Sequence, residues 1–334
     1  MPALRNQLTV SGVVRLTIYI IKVSLLIEFI GGTILAIRWY PELGLKGIYF
    51  GYWHAISSFC NAGFDLFGDF KSLTGYVDDI TVNLVVSFLI ILGGIGFTVL
   101  HDVWTNRKFS KFSLHTKIVL YATLFLIILG TIVIFALEYQ NEATLGSLSW
   151  QGKILGSYFQ SVTPRTAGYN TIDIGKMETA TLFFTILLMF IGASPGSTGG
   201  GIKTSTIAVL AAAMLALSTG KEDAELFKRR IPQHIIYKAF SLFFLAALLV
   251  IFVTMLLSIT EQAPFLNILF EVVSAFGTVG LTTGITTGLT VPGKLLIILT
   301  MFAGRVGPAT IALALALKAH SSHVKYPEGK IVIG

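Results

Sequence analysis

Charged residues are scarce in this sequence. Only 12% of the 334 residues are Asp, Glu, Lys or Arg, whereas 54% are hydrophobic, and the mean hydropathy is +0.79. A soluble globule of this length would need more polar residues to cover its surface. The sequence therefore predicts an integral membrane protein.

Cysteine is almost absent, and no grouping of residues suggests a reactive centre. Cys60 is the single cysteine, so the chain cannot form an internal disulfide. No set of His, Cys, Asp and Glu has the spacing of metal ligands. No nucleophile, base and orienting residue can be assembled either. The chain is therefore predicted not to be an enzyme, to bind no metal other than a transported ion, and to hold no covalent cofactor.

Long apolar runs account for most of the chain. Six of them reach the roughly 20 residues that are needed to cross about 30 Å of hydrocarbon. They lie near residues 12–38, 80–103, 115–137, 179–218, 234–259 and 293–317. The fourth run is too long for one simple span. The predicted fold class is an all-α integral membrane protein.

The positive charge lies in the connections between the spans. The net charge of +7 would suggest a nucleic-acid partner in a soluble protein, but no such partner is predicted here. Basic residues cluster after the second span and after the fourth, which places both loops in the cytoplasm by the positive-inside rule. They are Arg107, Lys108, Lys111, Lys117, Lys221, Lys228, Arg229, Arg230 and Lys238. Both termini are then cytoplasmic, in a multi-pass protein of the plasma membrane.

A short glycine-containing pattern recurs three times, each time in a segment predicted to face outward. Residues 57–64 read SSFCNAGF and residues 274–281 read SAFGTVGL, with Ser, Phe and Gly in register. Residues 166–169 read TAGY and match the ends of both octets, with one extra residue near Pro164. The segment 39–79 must be re-entrant, because unpaired backbone in lipid is costly. The chain is therefore predicted to hold three tandem helix–pore loop–helix units.

The second helix of each unit repeats as well. The shared glycine precedes a helix glycine by 24 residues in two units, from Gly168 to Gly192 and from Gly280 to Gly304. In the first unit the interval is 30 residues, from Gly63 to Gly93. In the middle unit GASPGSTGGGIK follows, and its glycines and proline must break the helix.

These repeats predict an ion pathway. Carbonyl oxygens can replace the water around a cation, and glycine permits backbone angles that turn carbonyls inward. No filter glycine is a neighbour of a carboxylate that would favour a divalent ion, although Asp65 lies two residues beyond Gly63. The predicted filter residues are Asn61, Ala62, Gly63, Thr166, Ala167, Gly168, Thr278, Val279 and Gly280. The alternative, that these glycines only allow sharp turns or close packing, is less favoured because three copies align.

The broken fourth span is predicted to be a gate below the filter. Arg305 in the last span is expected to meet this break, because a charge at membrane depth needs carbonyl or hydroxyl partners. The predicted gate residues are Gly192, Ser194, Gly196, Ser197, Thr198, Gly199, Gly200, Gly201, Lys203 and Arg305. The other possibilities are a passive kink and a phosphate-binding loop, and the latter lacks the GxxxxGK[ST] order.

The strings SSFCNAGFD, QSVTPRTAGYN, MFIGASPGSTGGGIKTST, SAFGTVGLTTG and MFAGRVGPAT resemble the membrane subunit of bacterial Ktr-type potassium uptake systems in the Trk/Ktr/HKT superfamily. The resemblance covers nearly the whole chain. It implies a pseudo-fourfold pore that is selective for K⁺ and in some members depends on Na⁺. It also implies a homodimer controlled by a cytoplasmic ring of nucleotide-binding regulatory subunits, so that any nucleotide sits on the partner. A helix break in the family's third unit and an arginine in its last unit form the gate.

The family has four such units, whereas this sequence shows three, so its first unit is expected to be absent. An incomplete reading of a longer gene is favoured over a truncated product and over a missing wall that another chain supplies. The expected organisation is a lead-in at 1–11, units at 12–103, 115–218 and 234–317, loops at 104–114 and 219–233, a gate segment at 192–204 and a tail at 318–334. Two other functions stay open. One is a non-conducting fragment of such a subunit. The other is a secondary solute carrier, which should instead show inverted repeats and an ionisable coupling site.

Overall fold

The computed structural model describes residues 10–307, and within this range it contains eleven α-helices and one short β-hairpin. The helices follow each other in the same order three times. Each unit has a long first helix, then a short helix, then a second helix that follows the filter segment and is bent, broken or ends at Val306. The first unit contains α1 (Val10–Leu43), α2 (Leu45–Phe59), α3 (Ile80–Ile95) and α4 (Phe97–Asn106). The second contains α5 (Leu114–Glu138), α6 (Trp150–Val162), α7 (Thr179–Phe190) and α8 (Thr204–Ser218). The third contains α9 (Gln233–Thr260), α10 (Phe265–Gly277) and α11 (Val291–Val306).

Helix length separates three helices that are long enough to span a membrane from three that are too short. Within the described residues, Thr17–Leu43, Leu114–Glu138 and Gln233–Thr260 are each long and apolar enough to cross a membrane. The short helices α2, α6 and α10 have 15, 13 and 13 residues. At about 1.5 Å per residue these three cover only about two thirds of the hydrocarbon core. The apolar middle of segment 39–79 is therefore a helix too short to cross the hydrocarbon core.

The predicted span 80–103 is not one straight helix. Its two halves, α3 and α4, are bent by 96° at Gly96, where φ is +95°. The gate segment makes this bend possible, because the Phe97 amide donates to the Gly196 carbonyl at 3.1 Å. The first amide of α4 thus gains the partner that a helix start lacks.

The other two second helices are interrupted at the corresponding place. The fourth span breaks between Phe190 and Thr204, as predicted. Helix α11 ends at Val306, and Gly307 follows it with φ +85°. The remainder of the predicted span 293–317, the tail 318–334 and most of the lead-in 1–11 lie outside the described residues.

The buried core surrounds the short helices. Phe59 and Phe276 occupy equivalent places at the ends of α2 and α10, and both are fully buried. Phe159 of α6 packs with Phe59 in one apolar cluster, whereas Phe270 packs with Phe276 in another. The short helices are therefore held by protein contacts that a lipid-exposed half-span would lack.

A small hairpin joins the second and third units within the predicted cytoplasmic loop. Its strands are β1 (Glu225–Leu226) and β2 (Arg229–Arg230), paired antiparallel. Phe227 and Lys228 form the turn between them with φ values of +51° and +60°. Arg230 also pairs with Asp223 at 2.7 Å, which closes the base of the hairpin.

Candidate functional site

The three predicted filter segments share one backbone conformation. In each, two residues separated by one have positive φ: +51° and +71° at Asn61 and Gly63, +76° and +85° at Thr166 and Gly168, and +51° and +90° at Thr278 and Gly280. Positive φ is uncommon outside glycine and marks a backbone held by its surroundings. This alternation is therefore present at all three positions that the sequence repeat identifies.

The segments lie side by side in chain order. A Cβ built on Gly63 would overlap the Ala167 carbonyl oxygen, and one built on Gly168 would overlap the Val279 carbonyl oxygen. Each of these glycines is thus needed for the close approach of the next segment. Gly280 meets no such carbonyl among the described residues, because its nearest neighbour there is the Gly168 Cα at 3.7 Å.

A side-chain contact also joins the first two segments. The Asn61 amide and the Thr166 hydroxyl lie 3.2 Å apart. When the Asn61 amide oxygen accepts from Thr166, its nitrogen donates to the carbonyls of Ser58 at 3.1 Å and Ile90 at 3.2 Å. Both residues are buried, so this bridge fixes the start of the two segments relative to each other.

The middle filter segment is more buried than the two that flank it. Thr166 and Ala167 in the middle segment are fully buried, whereas Ala62 and Gly280 in the outer segments are exposed. The three segments therefore form an arc with one open edge at Ala62 and another at Gly280.

A hydroxyl at the end of each short helix holds the end of its own segment. Ser57 donates to the Phe64 carbonyl at 3.0 Å, Thr163 to the Tyr169 carbonyl at 2.5 Å, and Ser274 to the Leu281 carbonyl at 2.6 Å. Each of these carbonyls belongs to the residue after the filter glycine. The contact turns that carbonyl back toward the helix and so fixes the orientation of the peptide next to the glycine.

These three hydroxyls were missing from the predicted site. Ser57 and Ser274 lie in the aligned octets, but the repeat aligns Ser161 of the middle unit with them. Ser161 instead donates to the Ile127 carbonyl at 2.8 Å. Thr163 takes this role although it precedes Gly168 by five residues, whereas Ser57 and Ser274 precede their glycines by six. The spacing from the glycine therefore did not identify it.

Two of the glycines in the second helices bring those helices against the short helices. A Cβ on Gly93 would overlap the Phe59 carbonyl oxygen, and one on Gly304 would overlap the Phe276 carbonyl oxygen. In the middle unit, Gly192 faces the Gly200 carbonyl of its own loop instead. The repeated glycine therefore has the same packing role in two units and a different one in the third.

The gate segment was predicted at 192–204 and comprises residues 191–203 in the structure, between α7 and α8. It crosses to the first unit. The Ser194 amide donates to the Gly94 carbonyl at 2.9 Å, and the Thr198 amide donates to the Gly93 carbonyl at 3.2 Å. The Thr198 hydroxyl donates to the Phe59 carbonyl at 3.1 Å. The segment is thus attached to the end of α3 and to the end of α2.

The same segment lies against two of the filter segments. A Cβ on Gly199 would overlap the Thr166 hydroxyl, and one on Gly200 would overlap the Thr278 hydroxyl. Ala193 and Gly200 are joined by a backbone hydrogen bond of 3.3 Å across the segment. The polar loop is therefore a folded unit that touches the first residues of the second and third filter segments.

Side chains stabilise the fold of the gate segment. Lys203 donates to the Gly199 carbonyl at 2.7 Å, and Ser197 donates to the Ser194 carbonyl at 2.6 Å. The hydroxyls of Ser194 and Thr204 lie 2.8 Å apart. Gly196 and Gly201 have φ values of +69° and +70°, and at Gly201 the Gly192 Cα is only 3.1 Å from the position of a Cβ.

Arg305 contacts the gate segment, as the sequence predicts. Its guanidinium donates to the Thr198 carbonyl at 2.5 Å. Hydrogen bonds with a charged donor are stronger than neutral ones. The segment is therefore tied to the first unit through Gly93 and Gly94 and to the third unit through Arg305.

Similarity to known proteins is extensive. The family model described as TrkH, cation transport protein, matches residues 1–325. The chain is 48% identical over 330 residues to "Ktr system potassium uptake protein B" of Bacillus subtilis, covering 98% of this chain and 74% of that protein. It is 44% identical over 336 residues to "Potassium/sodium uptake protein NtpJ" of Enterococcus hirae, covering 98% and 74%.

The fold is also that of a solved structure. The crystal structure of the potassium transporter TrkH from Vibrio parahaemolyticus aligns with a TM-score of 0.65 at 20% sequence identity, covering 89% of this chain and 71% of that one. The family match and the two relatives show the family of the sequence, and the structural similarity shows its fold. The chain belongs to the TrkH family of cation transport proteins.

Proposed function

We propose that this chain takes up potassium ions across the plasma membrane as the pore-forming subunit of a Ktr-type transporter. The observation that carries the proposal is the arc of three adjacent filter segments with one shared backbone conformation. The names of two relatives, which describe potassium uptake and potassium/sodium uptake, support it.

The chemistry of the arc favours a weakly hydrated monovalent cation. None of the nine filter residues, at 61–63, 166–168 and 278–280, is acidic. Backbone carbonyls carry partial charges and suit an ion that must both enter and leave. A site for a divalent cation would instead use carboxylates. We propose K⁺ as the transported ion, and Na⁺ as a second transported or coupling ion.

We propose that the gate segment closes the pathway below the filter. Its glycines touch Thr166 and Thr278, and its backbone is held at Gly94 and by Arg305. To open the pathway, the gate segment would have to break its contacts with all of these partners at the same time. The Arg305 contact is the one that a single substitution removes without changing the loop itself.

The open edge of the arc suggests that another segment completes the ring. Gly63 and Gly168 each face a carbonyl of the next segment, whereas Gly280 faces none among the described residues. The chain spans about three quarters of the length of the curated relatives that it matches, 74% for two of them. We propose that a fourth helix–loop–helix quarter closes the ring between Gly280 and Ala62.

The remaining parts of the proposal come from the family resemblance. We propose a homodimer with cytoplasmic termini, regulated by a separate nucleotide-binding subunit on the cytoplasmic side. The word "system" in the name of the Bacillus subtilis relative supports a transporter with more than one component.

Growth of a potassium-uptake-deficient bacterium on low K⁺ tests the proposal. The strain expresses this chain alone, or this chain with a fourth unit fused to it, and a version with Gly168→Ala serves as the inactive control. We expect growth with the completed ring and none with the control. Growth with neither the chain alone nor the fusion, although both reach the membrane, would contradict potassium uptake. Growth with the fusion but not with the chain alone would identify the chain alone as a non-conducting part of the transporter. The open edge of the arc favours this alternative.

A further inference from the structure

A large cavity lies outside the ion pathway, between α5 and α8. Its volume is about 1010 Å³, at the upper end of the roughly 300–1,000 Å³ that is usual for ligand sites. Its walls are almost entirely apolar. Tyr121, Phe125 and Leu129 line it from α5, and Ala208 and Ala211 from α8. We propose that this cavity binds one acyl chain of a membrane phospholipid with an amine headgroup.

The depth of the cavity fits an acyl chain. Lining residues extend from Thr204 to Thr219 along α8, a distance of about 22 Å at 1.5 Å per residue. One leaflet of a bilayer contributes only about 15 Å of hydrocarbon, so the cavity is long enough to hold an acyl chain over the depth of one leaflet. Both helices are apolar spans or parts of spans, so the mouth of the cavity opens where lipid is the surrounding solvent.

The charged end of the cavity fits a phospholipid headgroup. The hairpin closes this end, where the rings of Tyr121 and Phe227 lie 5.1 Å apart. Lys221, Asp223 and Glu225 are the charged lining residues. Asp223 is already paired with Arg230. Lys221 and Glu225 are both exposed and remain as one cation and one anion, which match the phosphate and the ammonium group of a zwitterionic headgroup.

The inner end of the cavity reaches the gate segment. Ile191, the first residue of the segment, and Thr204, the first residue of α8 directly after it, both line the cavity. Ile191 pairs with Ile202 across the segment, and Thr204 contacts Ser194 through its hydroxyl. A bound acyl chain would therefore touch both hinges of the segment, a consequence that rests on the proposed gate function.

Native mass spectrometry of the purified protein tests the site. The protein is reconstituted in equal amounts of phosphatidylethanolamine and phosphatidylglycerol and then released into mild detergent. Ala211→Trp fills the cavity, and Ala180→Trp places the same bulk at an exposed alanine outside it. We expect the phosphatidylethanolamine-bound fraction to fall about tenfold in Ala211→Trp, as a loss of about 1.4 kcal/mol implies, and to stay unchanged in Ala180→Trp. Ala208→Leu is the second variant if Ala211→Trp fails to fold.

The headgroup assignment has its own variants. Glu225→Gln should remove the preference for phosphatidylethanolamine over phosphatidylglycerol, and Lys221→Gln should lower retention of both. Equal retention by the wild type and the cavity-filled variants would overturn the proposal, as would a cavity found to hold a protein segment. Lipid retention does not depend on transport, so this result stands apart from the growth test. In vesicles, uptake that responds to phosphatidylethanolamine in the wild type but not in Ala211→Trp would establish the link to the gate.

Discussion

The filter segments and the second helices are both repeated in the sequence. In the structure, only the filter segments have the same geometry in all three units. All three filter segments have the same alternation of positive φ and the same hydroxyl contact after the glycine. The second helices differ. One bends at a single residue, Gly96, and one ends at Val306 within the described residues, whereas the middle one is interrupted by the gate segment 191–203.

On the proposed function, this difference explains how similar parts around a pathway acquire a single gate. Equivalent segments must present equivalent oxygens to an ion on the axis, so their backbone is constrained alike. The helices below them have no such requirement. One of them can extend across the pathway, provided that its polar groups find partners on both sides, and the carbonyls of Gly93 and Gly94 and the Arg305 guanidinium supply these partners.

Gly168→Ala should abolish potassium uptake, the largest effect that we expect. The residue has φ +85°, and its new Cβ would overlap the Val279 carbonyl oxygen. Left-handed backbone alone disfavours a non-glycine residue by roughly 1–2 kcal/mol, and the overlap adds to this. Gly288→Ala is the matched control, because no described atom lies within 4 Å of its Cβ position. Equal Rb⁺ uptake by the two variants would show that the filter geometry does not matter.

Arg305→Ala should raise the rate of Rb⁺ uptake through the assembled transporter by about tenfold. It removes one charge-assisted hydrogen bond to the gate segment, which is worth roughly 1.5–3 kcal/mol. Lys294→Ala removes a charge from the exposed face of the same helix and should leave the rate unchanged. Unaltered uptake in Arg305→Ala would mean that the contact with Thr198 does not hold the gate closed.

Gly93→Ala should destabilise the fold by about 1–3 kcal/mol, the usual range for overpacking. Its Cβ would overlap the Phe59 carbonyl oxygen, and the Thr198 hydroxyl lies 3.0 Å away. The neighbouring Gly94→Ala is the control, since its Cβ would meet only ordinary contacts at 3.4 Å and 3.9 Å. Thermal unfolding in detergent compares them, and a Gly93→Ala protein that melts with the control would refute the packing role.

Ser274→Ala should have the smallest effect. It deletes the hydroxyl that holds the Leu281 carbonyl, and a neutral hydrogen bond contributes about 0.5–1.5 kcal/mol. We expect the apparent KM for Rb⁺ to rise a few-fold, or by about tenfold at most. Ser258→Ala loses only a bond to the Thr254 carbonyl within its own helix, and its KM should stay that of the wild type. A KM for Ser274→Ala equal to that of Ser258→Ala would show that the hydroxyl does not position the filter.

The sequence was sufficient to predict most of the repeated geometry. Gly63, Gly168 and Gly280 could be identified because each has positive φ, which strongly favours glycine. At Gly63 and Gly168 a carbonyl oxygen also lies too close for any side chain. The run from 192 to 203 predicted a broken helix through its density of glycine and proline. Arg305 predicted a polar partner in that loop because an isolated charge among apolar residues needs one.

The bend at Gly96 could not be predicted from its own surroundings. A lone glycine weakens a helix by only about 1 kcal/mol, so the sequence at 80–103 reads as a continuous span. What bends the chain at Gly96 is a distant partner, the Gly196 carbonyl that receives the Phe97 amide. Thr163 was missed because it lies five residues before its glycine, whereas Ser57 and Ser274 lie six residues before theirs, so that the alignment of the repeats selects Ser161 instead.

The most direct measurement is the position of bound ions. A crystal of the assembled transporter grown in Rb⁺ would show anomalous scattering wherever the ion binds. We predict a peak in contact with carbonyl oxygens of residues 61–63, 166–168 and 278–280, on the side of Thr166 and Thr278 away from the gate segment. A well-ordered structure with no peak there, or with its strongest peak elsewhere, would contradict the assignment of these residues as the filter.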